Sequence, residues 1–173
     1  SLSTRAAGVQ AIPFFLQGCA LGNAEACIRV TSAFAMNTSV NAGEPSYFDG
    51  EEAALDKQHL AYADRACSID EEHCAFWAGH ALGSPVSSDA DKTRAMDTLE
   101  SACDAGRSSA CASLAFHYRQ PTAANDPRKS VDYIKRACET APSKTSSPSC
   151  VTYAKALLLG IGLEPDLATA VQV

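Results

Sequence analysis

Residues 100–116 read ESACDAGRSSACASLAF, with Cys103 and Cys111 on either side of a short polar turn that contains Gly106. Three readings compete for this stretch: a metal clip, a redox motif, or one copy of a recurring hairpin. The other cysteines discriminate among them. Cys19/Cys27, Cys67/Cys74 and Cys138/Cys150 complete a set of eight, and the first members of successive pairs lie 48, 36 and 35 residues apart. A period of about 36 residues is that of an array of helix–turn–helix units.

Aligning the chain on the first cysteine of each pair brings out further columns. Ile12, Leu60, Met96 and Val131 stand seven residues before it, and Phe15, Ala63, Leu99 and Ile134 four before. Gly18, Ala66, Ala102 and Ala137 immediately precede it. Positions −7, −4 and 0 share one helical stripe, so the pattern predicts a helix A that ends at the first cysteine with this stripe inward. Register on the second cysteine gives a helix B. Val30, Trp77, Leu114 and Tyr153 follow it by three residues, and Thr31, Ala78, Ala115 and Ala154 by four. The larger side chain of each couple fills a core, and the smaller lets two helices approach closely. Gly22 and Gly106, each three residues after a first cysteine, mark where helix A stops on a left-handed glycine.

Each pair therefore closes the turn between helix A and helix B, and a bridge across a loop this short is worth roughly 2–3 kcal/mol. The expected fold is all-α, an α/α solenoid of about four disulfide-stapled repeats at residues 5–36, 52–84, 89–120 and 126–160. A terminal helix begins in 165–173, as a cap or as the opening of a longer array, the second being favoured. Residues 37–51 read as an inserted loop carrying Tyr47 and Phe48, either a plain surface excursion or a functional rim.

An alanine-rich helix, C-x-x-G-x-x-x-C, a second alanine-rich helix and then L-G-x-G-x-x-x-D-x-x-x-A resembles the Sel-like repeat, a tetratricopeptide-type α/α solenoid. GCALGNAEAC at 18–27 and GIGLEPDLATA at 160–170 carry the resemblance most closely. The cysteine placement is similar to a secreted cysteine-rich branch with one disulfide per repeat. The loops after the second and third helix B, SPVSSDADKTRA and RQPTAANDPRKS, depart from the repeat's Gly-x-Gly turn.

Composition bounds the function. Eight cysteines in 173 residues suit four disulfides in an oxidising compartment: periplasm, cell surface or secretion, and less readily the mitochondrial intermembrane space. Eight buried reduced thiols are the alternative. A net charge of −6 argues against nucleic-acid and anionic-membrane surfaces, which require basic patches. No apolar run is long enough to span a bilayer. From Ser1 there is no basic–apolar leader, so the start reads as that of a processed chain or of an expressed portion, with the signal question left open.

Catalytic readings find little support. Six to eleven residues separate the paired cysteines, against the two to four usual in structural zinc sites. No Cys-x-x-Cys is present. His80 and His117 both lie six residues after a second cysteine, as a packed column or as two ligands without a third; His59 and His73 complete the histidines. The resemblance implies binding of penicillin-like compounds in some members, but Ser-x-x-Lys, Ser-Asp-Asn and Lys-Thr-Gly are all absent. Neither a cofactor nor a metal is expected. Asn37-Thr38-Ser39 fits a glycosylation acceptor that matters only in a eukaryotic secretory setting.

The remaining signal is on helix A. Phe14, Tyr62, Thr98 and Tyr133 stand five residues before the cysteine, and Gln17, Arg65, Ser101 and Arg136 two before. Tyrosine and arginine are favoured at interfaces. Tyr62, Arg65, Thr98, Tyr133, Arg136, Tyr47 and Phe48 are thus the candidate binding residues. The alternative is that position −5 widens the core stripe and −2 is a solvated face. The expected function is a non-catalytic scaffold for a protein or peptide. A weak binder or hydrolase of cell-wall-derived or β-lactam compounds, and an assembly factor in an oxidising organelle, are the alternatives.

Overall fold

The computed structural model describes residues 2–37, 52–122 and 125–173. Among these the fold is all-α. The helices are α1 (Leu2–Ala20), α2 (Ala24–Asn37), α3 (Glu52–Ile69), α4 (Cys74–Gly83), α5 (Asp89–Asp104), α6 (Ser108–Arg119), α7 (Pro127–Glu139), α8 (Pro148–Leu159) and the one-turn α9 (Leu167–Ala170), with a 3-10 turn at Glu71–His73. They form two compact units, residues 1–91 and 92–173. In the first, α1 packs on α2, α2 on α3 and α3 on α4; in the second, α6 packs on α7, α7 on α8 and α8 on α9. Each unit is thus a run of helices packed on their chain neighbours, the arrangement of an α/α solenoid.

Local chemistry sets the helix ends. α1 and α5 stop in the same way. The N–H of Gly22 donates to Cys19 O at 3.1 Å and that of Asn23 to Gly18 O at 3.0 Å; the N–H of Gly106 donates to Cys103 O at 2.9 Å and that of Arg107 to Ala102 O at 3.0 Å. This double return uses up carbonyls left over at the helix end and requires a left-handed residue. Gly22 and Gly106 supply it, with φ of 88° and 83°. α2, α5 and α7 start on side-chain caps, whereas α6 starts without one. Asn23 Oδ1 accepts from Ala26 N at 2.9 Å, and Asp126 Oδ1 from Arg128 N and Lys129 N at 3.1 Å each. Ser88 and Asp91 form a reciprocal box at the start of α5, with Asp91 N donating to Ser88 Oγ at 3.1 Å and Ser88 N to Asp91 Oδ2 at 3.2 Å. Pro127 and Pro148 occupy first-turn positions, where a missing N–H costs nothing.

All eight cysteines are bonded within their own hairpins: Cys19–Cys27, Cys67–Cys74, Cys103–Cys111 and Cys138–Cys150, with Cα–Cα distances of 4.3 to 4.8 Å. Three of the bridges are buried in the core, and Cys67–Cys74 is only partly covered. Of the 24 buried apolar residues among those described, eleven are alanine and six cysteine. Ile12, Val30, Trp77, Leu99, Leu114, Val131 and Leu157 make up the rest. Small side chains let the helices approach closely but bury little area each, so the staples add stability that the core alone supplies sparingly. The +3 and +4 columns follow the periodicity. Val30, Trp77 and Leu114 are buried at +3, and Thr31, Ala78 and Ala115 at +4, while Tyr153 and Ala154 in the last full hairpin are only partly covered.

Candidate functional site

The two columns that combine aromatic and arginine side chains are held at the joints between hairpins. In the first unit Tyr62 and Ile28, both half-buried, each pack against the cluster of Cys19, Ala26, Cys27 and Ala66. Arg65, one turn further along α3, donates from Nε to Cys19 O and from a terminal guanidinium nitrogen to Ala20 O, both at 3.0 Å. Both carbonyls belong to the last turn of α1; Cys19 O already accepts the Gly22 N–H, and Arg65 adds a second donor to it. A fixed cation there opposes the negative end of the helix dipole.

The second unit repeats the device with different partners. The Tyr133 ring on α7 stacks on Tyr118 of α6, with centroids 5.7 Å apart and planes 4° from parallel. Its hydroxyl donates to Glu100 of α5 at 3.4 Å. Arg136 reaches Asp104, the last residue of α5, at 2.6 Å, and its guanidinium carbon lies 5.7 Å from the Tyr133 centroid. The Lys129 ammonium sits 5.0 Å from the Tyr118 centroid. Burial, then the neighbouring Glu100 charge, raises the Tyr133 phenol above its ordinary range, so it remains a neutral donor at physiological pH. Ser108 Oγ donates to Ala137 O at 2.7 Å and Ser130 Oγ to Ala115 O at 2.8 Å, locking α6 to α7 beneath this surface.

Tyr62 and Arg65 in one unit, and Tyr133 and Arg136 in the other, therefore clasp a hairpin to the one before it. Thr98 belongs to neither clasp; its hydroxyl returns to Arg94 O of its own helix at 2.8 Å. Tyr47 and Phe48 lie outside the described residues, as do Thr38 and Ser39 of the glycosylation triplet. Around the clasp of the second unit several side chains are exposed. Lys129, Glu100 and Asp104 are exposed around the half-buried tyrosine pair, and Phe116 is exposed under the Arg119 guanidinium at 5.7 Å.

The histidines make a different arrangement. His80 of α4 meets His59 of α3 edge to face at 4.5 Å between centroids, and Phe76 at 4.5 Å on its own helix. Burial, and secondarily the adjacent His59, push the His80 pKa down to about 4. His59 is also lowered by burial, partly offset by Asp56. His117 lies in the other unit, 5.3 Å from Tyr118 between centroids, its pKa lowered by burial. The two rings meet edge to face, a geometry that aromatic pairs favour. The His59–His80 pair was missed in the sequence, although a signal for it exists. The two rings stand eight residues before Cys67 and six after Cys74, nearly equidistant from one bridge, and such positions face each other across an antiparallel hairpin. Among the described residues no three His, Cys, Asp or Glu side chains gather to hold a metal ion, and none of the helices is long and apolar enough to cross a membrane. No protein-family model matches the chain, and no curated protein matches it either.

Proposed function

We propose that the chain is a non-catalytic scaffold of the Sel-like repeat kind, working in an oxidising extracytoplasmic compartment, where it binds a protein or peptide. The observation that carries this reading is the Tyr118–Tyr133 pair with its ring of charges. Stacked aromatics with cations over or beside them offer large contact area at low conformational cost and directional contacts at the rim. The clasps beneath fix these rings, so a partner meets a pre-organised surface. The four disulfides fit an oxidising compartment.

Selection of displayed peptides on the oxidised protein tests the proposal. The expected result is a peptide family whose affinity falls about ten-fold or more on Tyr118→Ala or Lys129→Ala, with an unchanged melting temperature for the lysine variant. Failure to enrich any peptide, or enriched peptides indifferent to both substitutions, would remove this surface as the binding site.

A further inference from the structure

The four bridges differ in what covers them. Cys19, Cys27, Cys103, Cys111, Cys138 and Cys150 are each 4% exposed or less, whereas Cys67 and Cys74 are both partly open. Cys19–Cys27 shares its cluster with Ala66 of α3, and Tyr62 packs against it. Along the turn from Cys67 to Cys74, by contrast, Ser68, Ile69, Asp70, Glu71 and Glu72 are all exposed. This turn has no glycine; Asp70 caps its 3-10 helix instead, accepting from Glu72 N at 3.0 Å. The helix that follows is poorly equipped to stand without its staple. α4 has ten residues, the fewest among α1 to α8, and His73 in front of it makes no side-chain cap. A helix of that length holds through tertiary contact rather than on its own. Its buried face is Trp77, Ala78 and Ala81.

From this contrast we propose that Cys67–Cys74 is the exchange-active bridge of the chain, a redox switch on α4 that a dithiol reductant opens while the other three bridges stay closed. Exchange requires a thiolate to reach a bridge sulfur, so a covered bridge waits for local unfolding and an open one does not. The step balances between the two partners. A thiolate of the dithiol attacks one bridge sulfur, the Sγ–Sγ bond breaks, and a mixed disulfide forms as the other cysteine leaves as a thiolate. The second thiolate of the reductant then displaces the remaining cysteine, and the reductant departs as a disulfide. Two electrons and two protons have passed to Cys67 and Cys74. Opening frees the start of α4, so that Trp77, one turn beyond Cys74 and 3% exposed, loses the anchor that holds it against α3. The inference is independent of the peptide-binding reading, which concerns the second unit.

Timed reduction of the native, oxidised chain with dithiothreitol, quenched with N-ethylmaleimide and mapped by peptide mass spectrometry, tests it. Cys67 and Cys74 should be labelled at least about ten-fold faster than any other cysteine, because the covered bridges must first open locally. A species labelled on these two residues alone should accumulate while Cys19–Cys27, Cys103–Cys111 and Cys138–Cys150 stay linked. Trp77 is the single tryptophan of the chain, so its fluorescence reports α4 directly. Its emission should move to longer wavelength in step with this labelling and return on reoxidation. In concentrated urea the lead of Cys67–Cys74 should vanish, since cover no longer distinguishes the bridges. Equal rates for all four bridges in the native chain, another bridge opening first, a lead undiminished in urea, or a Cys67/Cys74-labelled species with unshifted emission would each overturn the inference.

Discussion

Lowering the pH should loosen the first unit through His80. An unfolded chain takes up a proton on this histidine near pH 6.5, but the folded one does so only near 4, because burial and the facing His59 ring disfavour the cation. A histidine depressed in this way contributes full stability above pH 6.5. That stability drains as the pH falls from 6.5 to 4 and is constant below. For a fully desolvated ring the gap corresponds to roughly 3 kcal/mol. His80 is only partly buried, and screening by water brings the expected loss to on the order of 1–2 kcal/mol. Urea denaturation at pH 7, 6, 5 and 4, comparing wild type with His80→Gln, isolates the effect, since carboxylate titration is common to both proteins. Wild type should lose about 1–2 kcal/mol more than the variant over this range. His59, depressed by burial as well, should appear in the same window, because the two rings titrate as a pair. Parallel stability profiles from pH 7 to 4 would refute the reasoning.

Three further outcomes follow from the geometry. Replacing both Cys103 and Cys111 by serine should cost roughly 2–3 kcal/mol, read as a melting temperature lower by several degrees; an unchanged melt would mean that the staple is redundant. Gly106→Ala should destabilise by about 1–2 kcal/mol, because φ of 83° is strained for any residue with a Cβ, and chemical denaturation will show whether that cost is absent. Arg136→Ala and Asp104→Asn, made singly and together, should show a coupling of about 0.2–1 kcal/mol, small because Asp104 is largely in water and Arg136 partly so; strict additivity would mean that this half of the clasp contributes nothing.

Helix pairing was readable because the cysteines index it. Once the bridges set the zero of each hairpin, the stripe at −7, −4 and 0 and the couple at +3 and +4 identify core residues such as Leu99, Val30 and Leu114 without further information. The −5 and −2 columns were readable as columns but not as contacts. Periodicity says that Tyr62 and Arg65 share an edge of α3; it does not say whether that edge faces solvent or the preceding hairpin, because this depends on how successive hairpins stack. The partners of the two arginines also differ in kind. Arg65 bonds to backbone carbonyls, which every sequence possesses, and Arg136 to a carboxylate 32 residues away. A residue whose partner is the main chain leaves no complementary side chain in the sequence to find.

The same joint explains why the core can be built so largely from alanine. Alanine brings helices close and loses no rotamer freedom on burial, yet its methyl contributes little of the apolar area that drives folding. A hairpin made this way is marginal alone and depends on two additions, the covalent staple at its turn and a clasp to its neighbour. The staple acts within the hairpin and mainly restricts the unfolded chain. The clasp acts between hairpins, through an aromatic at −5 and a cation at −2, and so it decides which hairpin stacks on which.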